Sequence, residues 1–168
     1  MTRDHVDRIQ EQWRRERPDL DPAPQGVIGR LHRLSGHLHD ELVAVYRDHG
    51  LGEGDFDVLA SLRRAGDPFE LPAGELAEHT MITTGGMSKR LDRLEHADLV
   101  ERRMDPDDAR VRRIALTTRG REVIDAAFTD HMTNEIRLLA ELPASDREAL
   151  ERILRDWLLR VEGAVEAE

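Results

Sequence analysis

The chain has 168 residues and a formal net charge of −10, enough length for one independent core-forming domain or a compact lobe with a helical extension. The acidity excludes an unselective nucleic-acid binder, which the phosphate backbone would repel as a whole. The lack of cysteine excludes disulfides, thiolate metal sites and a cysteine redox sensor. With 4% aromatic and 36% charged residues, the core must rest on Leu, Ile, Val and Ala spread along amphipathic helices. No apolar run approaches the roughly eighteen residues of a membrane span, and the opening "MTRDHVDRIQEQWRRERPD" is charged where a signal peptide is greasy. A soluble, cytoplasmic, mainly helical protein without membrane contact is expected.

Residues 4–17 read as a short helix carrying Val6, Ile9 and Trp13, ended by Pro18 in the turn-rich "RPDLDPAPQG". A long amphipathic helix follows, with Ile28, Leu31, Leu34, Leu38, Leu42, Val45 and Tyr46 at three- and four-residue steps and Gly50 as its C-cap. "GDFDVLASLRRAG" reads as a helix capped by Asp55 and stopped by Gly66 and Pro68, and "LPAGELAEHT" as a short one. The next runs from about Thr84 to Ala97. At about 100° per residue, Met87, Leu91 and Leu94 fall within about 80° of one another and face the core. Ser88, Lys89, Asp92, Arg93 and His96 point away, and Arg90 lies on the border. Short helix, turn, then a helix with one apolar stripe is the pattern of a helix-turn-helix.

"LVERRMDPDDARVRRIALT" then reads as a β-hairpin with an arginine-rich tip. Two long helices close the chain. One carries Val123, Ile124, Ala127, Phe128, His131, Met132 and Leu139; the other has Ser145 and Glu148 as a capping box and a stripe from Leu150 to Val161. From Ser88 to Arg121 there are ten Lys and Arg against seven Asp and Glu, about +3, so an acidic remainder surrounds one basic segment. Lys89 is the sole lysine.

"LAEHTMITTGGMSKRLDRLEHADLVERR" followed by "DPDDARVRRIALTTRG" resembles the MarR family of bacterial winged helix-turn-helix regulators, with flanking helices extending the likeness over about residues 28–163. The resemblance implies a mainly α fold: a winged helix-turn-helix with long dimerisation helices and a small β-hairpin wing. It implies a homodimer whose two lobes meet successive major grooves of double-stranded DNA. The expected organisation is an N-terminal helix and linker over residues 1–26, a dimerisation region over 27–50 and 119–168, and a DNA-binding lobe over 51–118. Ser88, Lys89 and Arg93 are the expected groove contacts. Arg110, Arg112 and Arg113 lie in the hairpin, and Arg110 occupies the position of the family's minor-groove arginine.

A narrower resemblance is to the urate-responsive subgroup, which has an extra N-terminal helix and four marker residues, matched here by Trp13, Asp57, Arg90 and Arg102. It implies a small-molecule effector, urate or a related purine, that releases a repressor from a pseudo-palindromic operator. An indole offers such an anion a stacking face and a guanidinium offers a bidentate fork. In this picture Asp57 is repelled by the anion and moves the element joining it to the recognition lobe, while Arg102 stabilises the arrangement. Two alternatives stand beside it: a regulator of this family answering a phenolic or antibiotic-like ligand, and a winged-helix protein-interaction module that never touches DNA. No enzyme is expected, since nucleophile–base pairing and phosphate-loop signals are lacking, and "TTGG" has neither the strand nor the ending of a phosphate loop. No cofactor or metal is expected either. In "HRLSGHLHD", His37 and His39 stand two apart, on opposite sides of a helix, which is poor ligation geometry.

Overall fold

The computed structural model describes residues 2–80, 84–108 and 110–165. Asp4 opens the first helix, α1 (His5–Glu16): its carboxylate accepts the Asp7 amide at 2.9 Å, and the Asp7 carboxylate accepts the Asp4 amide at 3.0 Å. The same two carboxylates receive Arg30 of α2 (Gln25–Asp48), at 2.7 Å and 2.6 Å. Gln10 adds hydrogen bonds to the carbonyls of Pro22 and Ala23 in the linker, at 2.9 and 3.3 Å. Val6 lies buried against Gly29, so an apolar contact joins α1 to α2 inside this polar frame.

Gly50, at φ +70°, ends α2, and α3 (Glu53–Arg64) follows. Next come β1 (Glu70–Pro72), α4 (Ala73–His79), α5 (Thr84–His96), β2 (Val100–Met104), β3 (Arg112–Leu116), α6 (Thr118–Leu139) and α7 (Ala144–Val165). The sequence's turn between α4 and α5, residues 81–83, lies outside the described residues, as does Ala109 in the wing. The three strands form an antiparallel sheet in the order β1-β3-β2, with Leu71 opposite Ile114 and Val100 opposite Leu116.

The core gathers one or more fully buried side chains from each surrounding element: Val58, Leu59 and Leu62 of α3, Leu76 of α4, Leu94 of α5, Ile114 of β3 and Ile124 of α6. Each contributes about 1.5–3 kcal/mol through removal from water. Tyr46 at the end of α2 stacks on Phe56 of α3, with ring centroids 4.1 Å apart. At the start of α6, Thr117 accepts the Gly120 amide at 2.9 Å and donates to the Asp98 carbonyl at 2.7 Å. Gly120 itself sits against the Leu99 carbonyl so closely that a Cβ would fall 1.8 Å from its oxygen.

Several local expectations need correcting. Helix α3 starts two residues before Asp55, so Asp55 is not the residue preceding it; its carboxylate instead reaches back to accept the Gly52 amide at 3.0 Å. Leu71 and Pro72, expected to open a helix, belong to β1, because pairing with β3 outweighs local preference. Helix α7 begins at Ala144, so Ser145 lies inside its first turn; its hydroxyl stands 3.5 Å from Asp146 and does not cap the helix. Ile28, Leu34 and Leu38, part of the apolar stripe of this helix, are exposed along α2 in the single chain.

Residues 1–127 form one compact unit and residues 128–168 a second, so α6 begins in the first and its second half belongs to the other. In the second unit the α7 stripe of Leu150, Ile153, Leu154, Trp157, Leu158 and Val161 is 39–56% exposed. Among the described residues, no helix is long and apolar enough to cross a membrane.

Two predictions follow from these contacts. Arg30 and the Asp7 amide hold the Asp4 carboxyl down to about 2. A depressed carboxyl contributes its stabilisation in full above about pH 4 and loses it as pH falls through about 2. Amide protection over residues 5–16 should therefore drop in that window, and an Asp4→Ala variant should show loosened amides already at neutral pH. Gly120→Ala should destabilise the fold by about 3 kcal/mol in urea unfolding, since the new methyl would fall on the Leu99 backbone rather than on a side chain that can turn aside.

Candidate nucleic-acid interface

Helix α5 is set by its apolar stripe. Met87, Leu91 and Leu94 are buried, which turns Ser88, Lys89, Asp92, Arg93 and His96 to the exposed side. Arg90, between the two faces, is half-buried, and its guanidinium lies against Gly54 of α3; a Cβ on that glycine would stand 2.2 Å from Arg90 Cζ. Arg90 Nε and Nη1 are buried and donate to no acceptor among the described residues. The nearest carboxylate oxygen, Asp55 Oδ1, is 3.6 Å from Nε, an ionic contact beyond hydrogen-bond reach.

The same oxygen accepts a hydrogen bond from Arg93 Nη2. One buried carboxylate thus receives two guanidinium groups of α5, three residues apart. Sequence reasoning missed this role and gave Asp55 only a capping one. The available signal was the pair Asp55 and Asp57: two residues apart is about 200° on a helix, so only one of them can face α5. Asp57 is half-buried on another side of α3.

Arg102 of β2 grips α5 from its other edge. Its Nη2 donates to Asp92 at 2.6 Å, its Nη1 donates to Glu95, and its backbone amide donates to Glu95 at 3.3 Å. The strand after the helix is thereby tied to the helix's last turns. Trp13, on α1, shares a face with the buried Val6 and Gln10 but is itself 48% exposed. Among the described residues no hydrogen bond or ion pair joins Trp13, Arg90 and Arg102 to one another. A largely apolar groove of about 610 Å³ opens between α1 and α2, lined in part by Val6, Ile9, Ile28 and His32; none of Trp13, Asp57, Arg90 and Arg102 lines it.

The hairpin arginines have different surroundings. Arg113 Nε donates to Glu70 at 2.8 Å and its Nη1 to Asp105 at 2.7 Å, while Arg103 donates to Glu70 at 3.1 Å, so Arg113 clasps β1, β3 and the wing turn together. Arg113, helped by the Asp107 and Asp108 amides, holds the Asp105 carboxyl below the usual carboxylate range. Arg112, the residue before it on the strand, is exposed on the opposite side. Arg110 has a side chain 91% exposed, with Nε 3.1 Å from Asp108, whose carboxyl it pulls below its ordinary range. Of the six expected DNA contacts, Ser88, Lys89, Arg93, Arg110 and Arg112 are exposed, and Arg113 is turned toward Glu70 and Asp105. Among the described residues, no cluster of three or more His, Asp or Glu converges as metal ligands; His39 lies 3.3 Å from Glu53 instead.

These surroundings predict a split in urea unfolding. Arg113→Ala takes the cation from Asp105 and leaves Glu70 with Arg103 alone, and should lower the unfolding midpoint clearly. Arg110→Ala removes only an exposed pair and should leave the unfolding midpoint nearly unchanged.

Comparison with known proteins agrees with this architecture. A model of the MarR family matches residues 49–111. The HTH-type transcriptional regulator PecS of Dickeya dadantii is 36% identical over 149 residues, spanning 89% of this chain and 90% of that protein. The HTH-type transcriptional repressor Rv2887 of Mycobacterium tuberculosis is 31% identical over 134 residues, 80% of this chain and 93% of that one. The crystal structure of Sco3205, a MarR family transcriptional regulator from Streptomyces coelicolor in complex with DNA, superposes with a TM-score of 0.74 at 25% identity, over 84% of this chain and 93% of that chain. With a winged helix-turn-helix built as described and relatives that are regulators rather than enzymes, the chain belongs to the MarR family of DNA-binding transcriptional regulators.

Proposed function

We propose that the protein is a homodimeric repressor that a small purine such as urate releases from a pseudo-palindromic operator. The observation that carries the DNA reading is the outward face of α5, with Ser88, Lys89 and Arg93 exposed, together with the hairpin that holds Arg110 and Arg112 outward. In this reading Ser88, Lys89 and Arg93 meet base edges and phosphates in the major groove, and Arg110 enters the minor groove, whose narrowness concentrates negative potential. Arg113 braces the wing. The relatives named as a repressor and as a DNA complex support the assignment.

The dimer reading rests on apolar side chains such as Ile28 and Leu38 of α2, Phe128 and Ile136 of α6, and Trp157 and Leu158 of α7, all exposed in the single chain. A soluble chain working alone rarely leaves that much apolar surface to water. Two lobes related by a two-fold axis call for half-sites about one helical turn apart. The segments over 27–50 and 119–168 form the dimer in this scheme, residues 51–118 the DNA-binding lobe, and 1–26 the additional helix.

The effector reading rests on Arg90, whose buried Nε and Nη1 have donors to offer an anion, and on the joint presence of Trp13, Asp57 and Arg102. Release is linkage: an effector that binds the DNA-incompetent arrangement about a hundredfold better lowers operator affinity by about 2.7 kcal/mol. The cytoplasm is where such a regulator works. In fluorescence anisotropy on the DNA upstream of its own gene, at fixed physiological salt, urate should free the DNA. Trp13→Phe and Arg90→Gln should still bind but lose the response, and Arg110→Ala should weaken binding by about 1–3 kcal/mol. A complex that forms yet ignores urate and xanthine removes the purine and leaves the regulator; no binding to any duplex at low salt removes the regulator as well.

A further inference from the structure

The reading of α5 as the groove-facing helix leaves open what aims its most exposed arginine. Arg93 has a side chain 61% exposed, yet one of its nitrogens is anchored in the protein, on Asp55, whose own side chain is 7% exposed. That carboxylate has little freedom to move. Its Oδ2 accepts the Gly52 amide at 3.0 Å, and the buried guanidinium of Arg90 stands 3.6 Å from Oδ1 on the inner side. The two arginines are three residues apart on one edge of α5, so a single acidic residue of α3 meets both.

We infer that Asp55 is a positioning residue for DNA recognition: held by Gly52 and Arg90, it fixes the plane of the Arg93 guanidinium on the outward face of α5. This rests on the groove-facing reading of that helix. A guanidinium is a rigid fork with five donors, and with Nη2 engaged on Asp55 the side chain still leaves 61% of its surface exposed, so donors remain for a second partner. An unsupported arginine on a helix surface samples many rotamers and must give them up on meeting a base edge; an arginine already held gives up less. Asp55 also offsets part of the positive charge of Arg93, so its benefit lies in orientation rather than attraction to phosphate. Orientation matters for a bidentate contact with a base and much less for a phosphate approached from any direction.

The test is a double-mutant cycle on the full chain by fluorescence anisotropy at fixed salt, with the upstream duplex and a scrambled duplex of equal length. Asp55→Asn keeps the shape and an acceptor for the Gly52 amide. It should weaken the upstream duplex about tenfold, equivalent to about 1.4 kcal/mol, and leave the scrambled duplex within about twofold. In an Arg93→Ala background the same change should do nothing further. Arg93→Lys leaves Asp55 and its cap in place and keeps the charge, but lacks the fork to serve two partners, so it should reproduce the selective loss. An equal loss from Asp55→Asn in the Arg93→Ala background overturns the inference, because the effect then runs through the fold. A gain on both duplexes overturns it too, because Asp55 would then compete with DNA for Arg93. If Arg93→Ala weakens the upstream duplex while Asp55→Asn leaves it unchanged, the inference falls and the groove-facing reading stands. If Arg93→Ala binds as wild type, both fall together.

Discussion

Burial of Met87, Leu91 and Leu94 against the elements around α5 is the constraint on which the rest of the lobe depends. The stripe fixes the rotation of the helix about its axis, and that rotation decides the surroundings of every polar residue on it. Ser88, Lys89 and Arg93 emerge on one side because the three apolar residues leave on the other. Arg90 is carried to the seam, where a glycine of α3 leaves room for its guanidinium and a carboxylate stands beside it. Had the stripe been one residue further along the helix, at positions 88, 92 and 95, Arg90 would point to solvent instead of to the seam.

Around that helix, charge works mainly through contacts between elements distant in sequence. Asp55 reaches Arg93 across 38 positions, Arg113 reaches Glu70 across 43, and Arg63 meets Asp125 across 62. Arg102 joins the strand to the helix before it, and Arg30 joins the first two helices. A chain with few aromatics and many arginines uses guanidinium forks as cross-links at the rim of a small aliphatic core. This is also why abundance of arginine says little about function: the exposed Arg110 and the clasped Arg113 are three residues apart and differ in what they touch.

Much of this architecture was legible in the sequence where local pattern decides. The long helices, the orientation of α5, the border position of Arg90 and the hairpin follow from periods of 3.6 and 2 and from turn residues. Strand β1 was not legible, since three residues ending in proline become a strand only by pairing with β3, more than forty residues away. Asp55 was half legible: its place at a helix start was visible, but whether it or Asp57 faces α5 depends on the packing of two helices. The apolar stripes of α2 and α7 were legible as stripes, yet periodicity names an apolar face without naming what covers it. For the effector residues the sequence supplied identities, and the fold adds surroundings: Arg90 with donors unmet, Arg102 engaged by Asp92 and Glu95, Trp13 half exposed.

Lys89 stands exposed in the middle of the outward face of α5, and no other lysine exists in the chain. Every other cationic side chain, histidines aside, is a guanidinium, which ordinary amine-directed acylating chemistry leaves alone. A reagent seeking side-chain amines therefore finds a single address, and capping it erases one positive charge and adds bulk on that same helix face. Attaching the protein to a bead or sensor through its lysine would press this face against the support, so immobilisation has to use other chemistry.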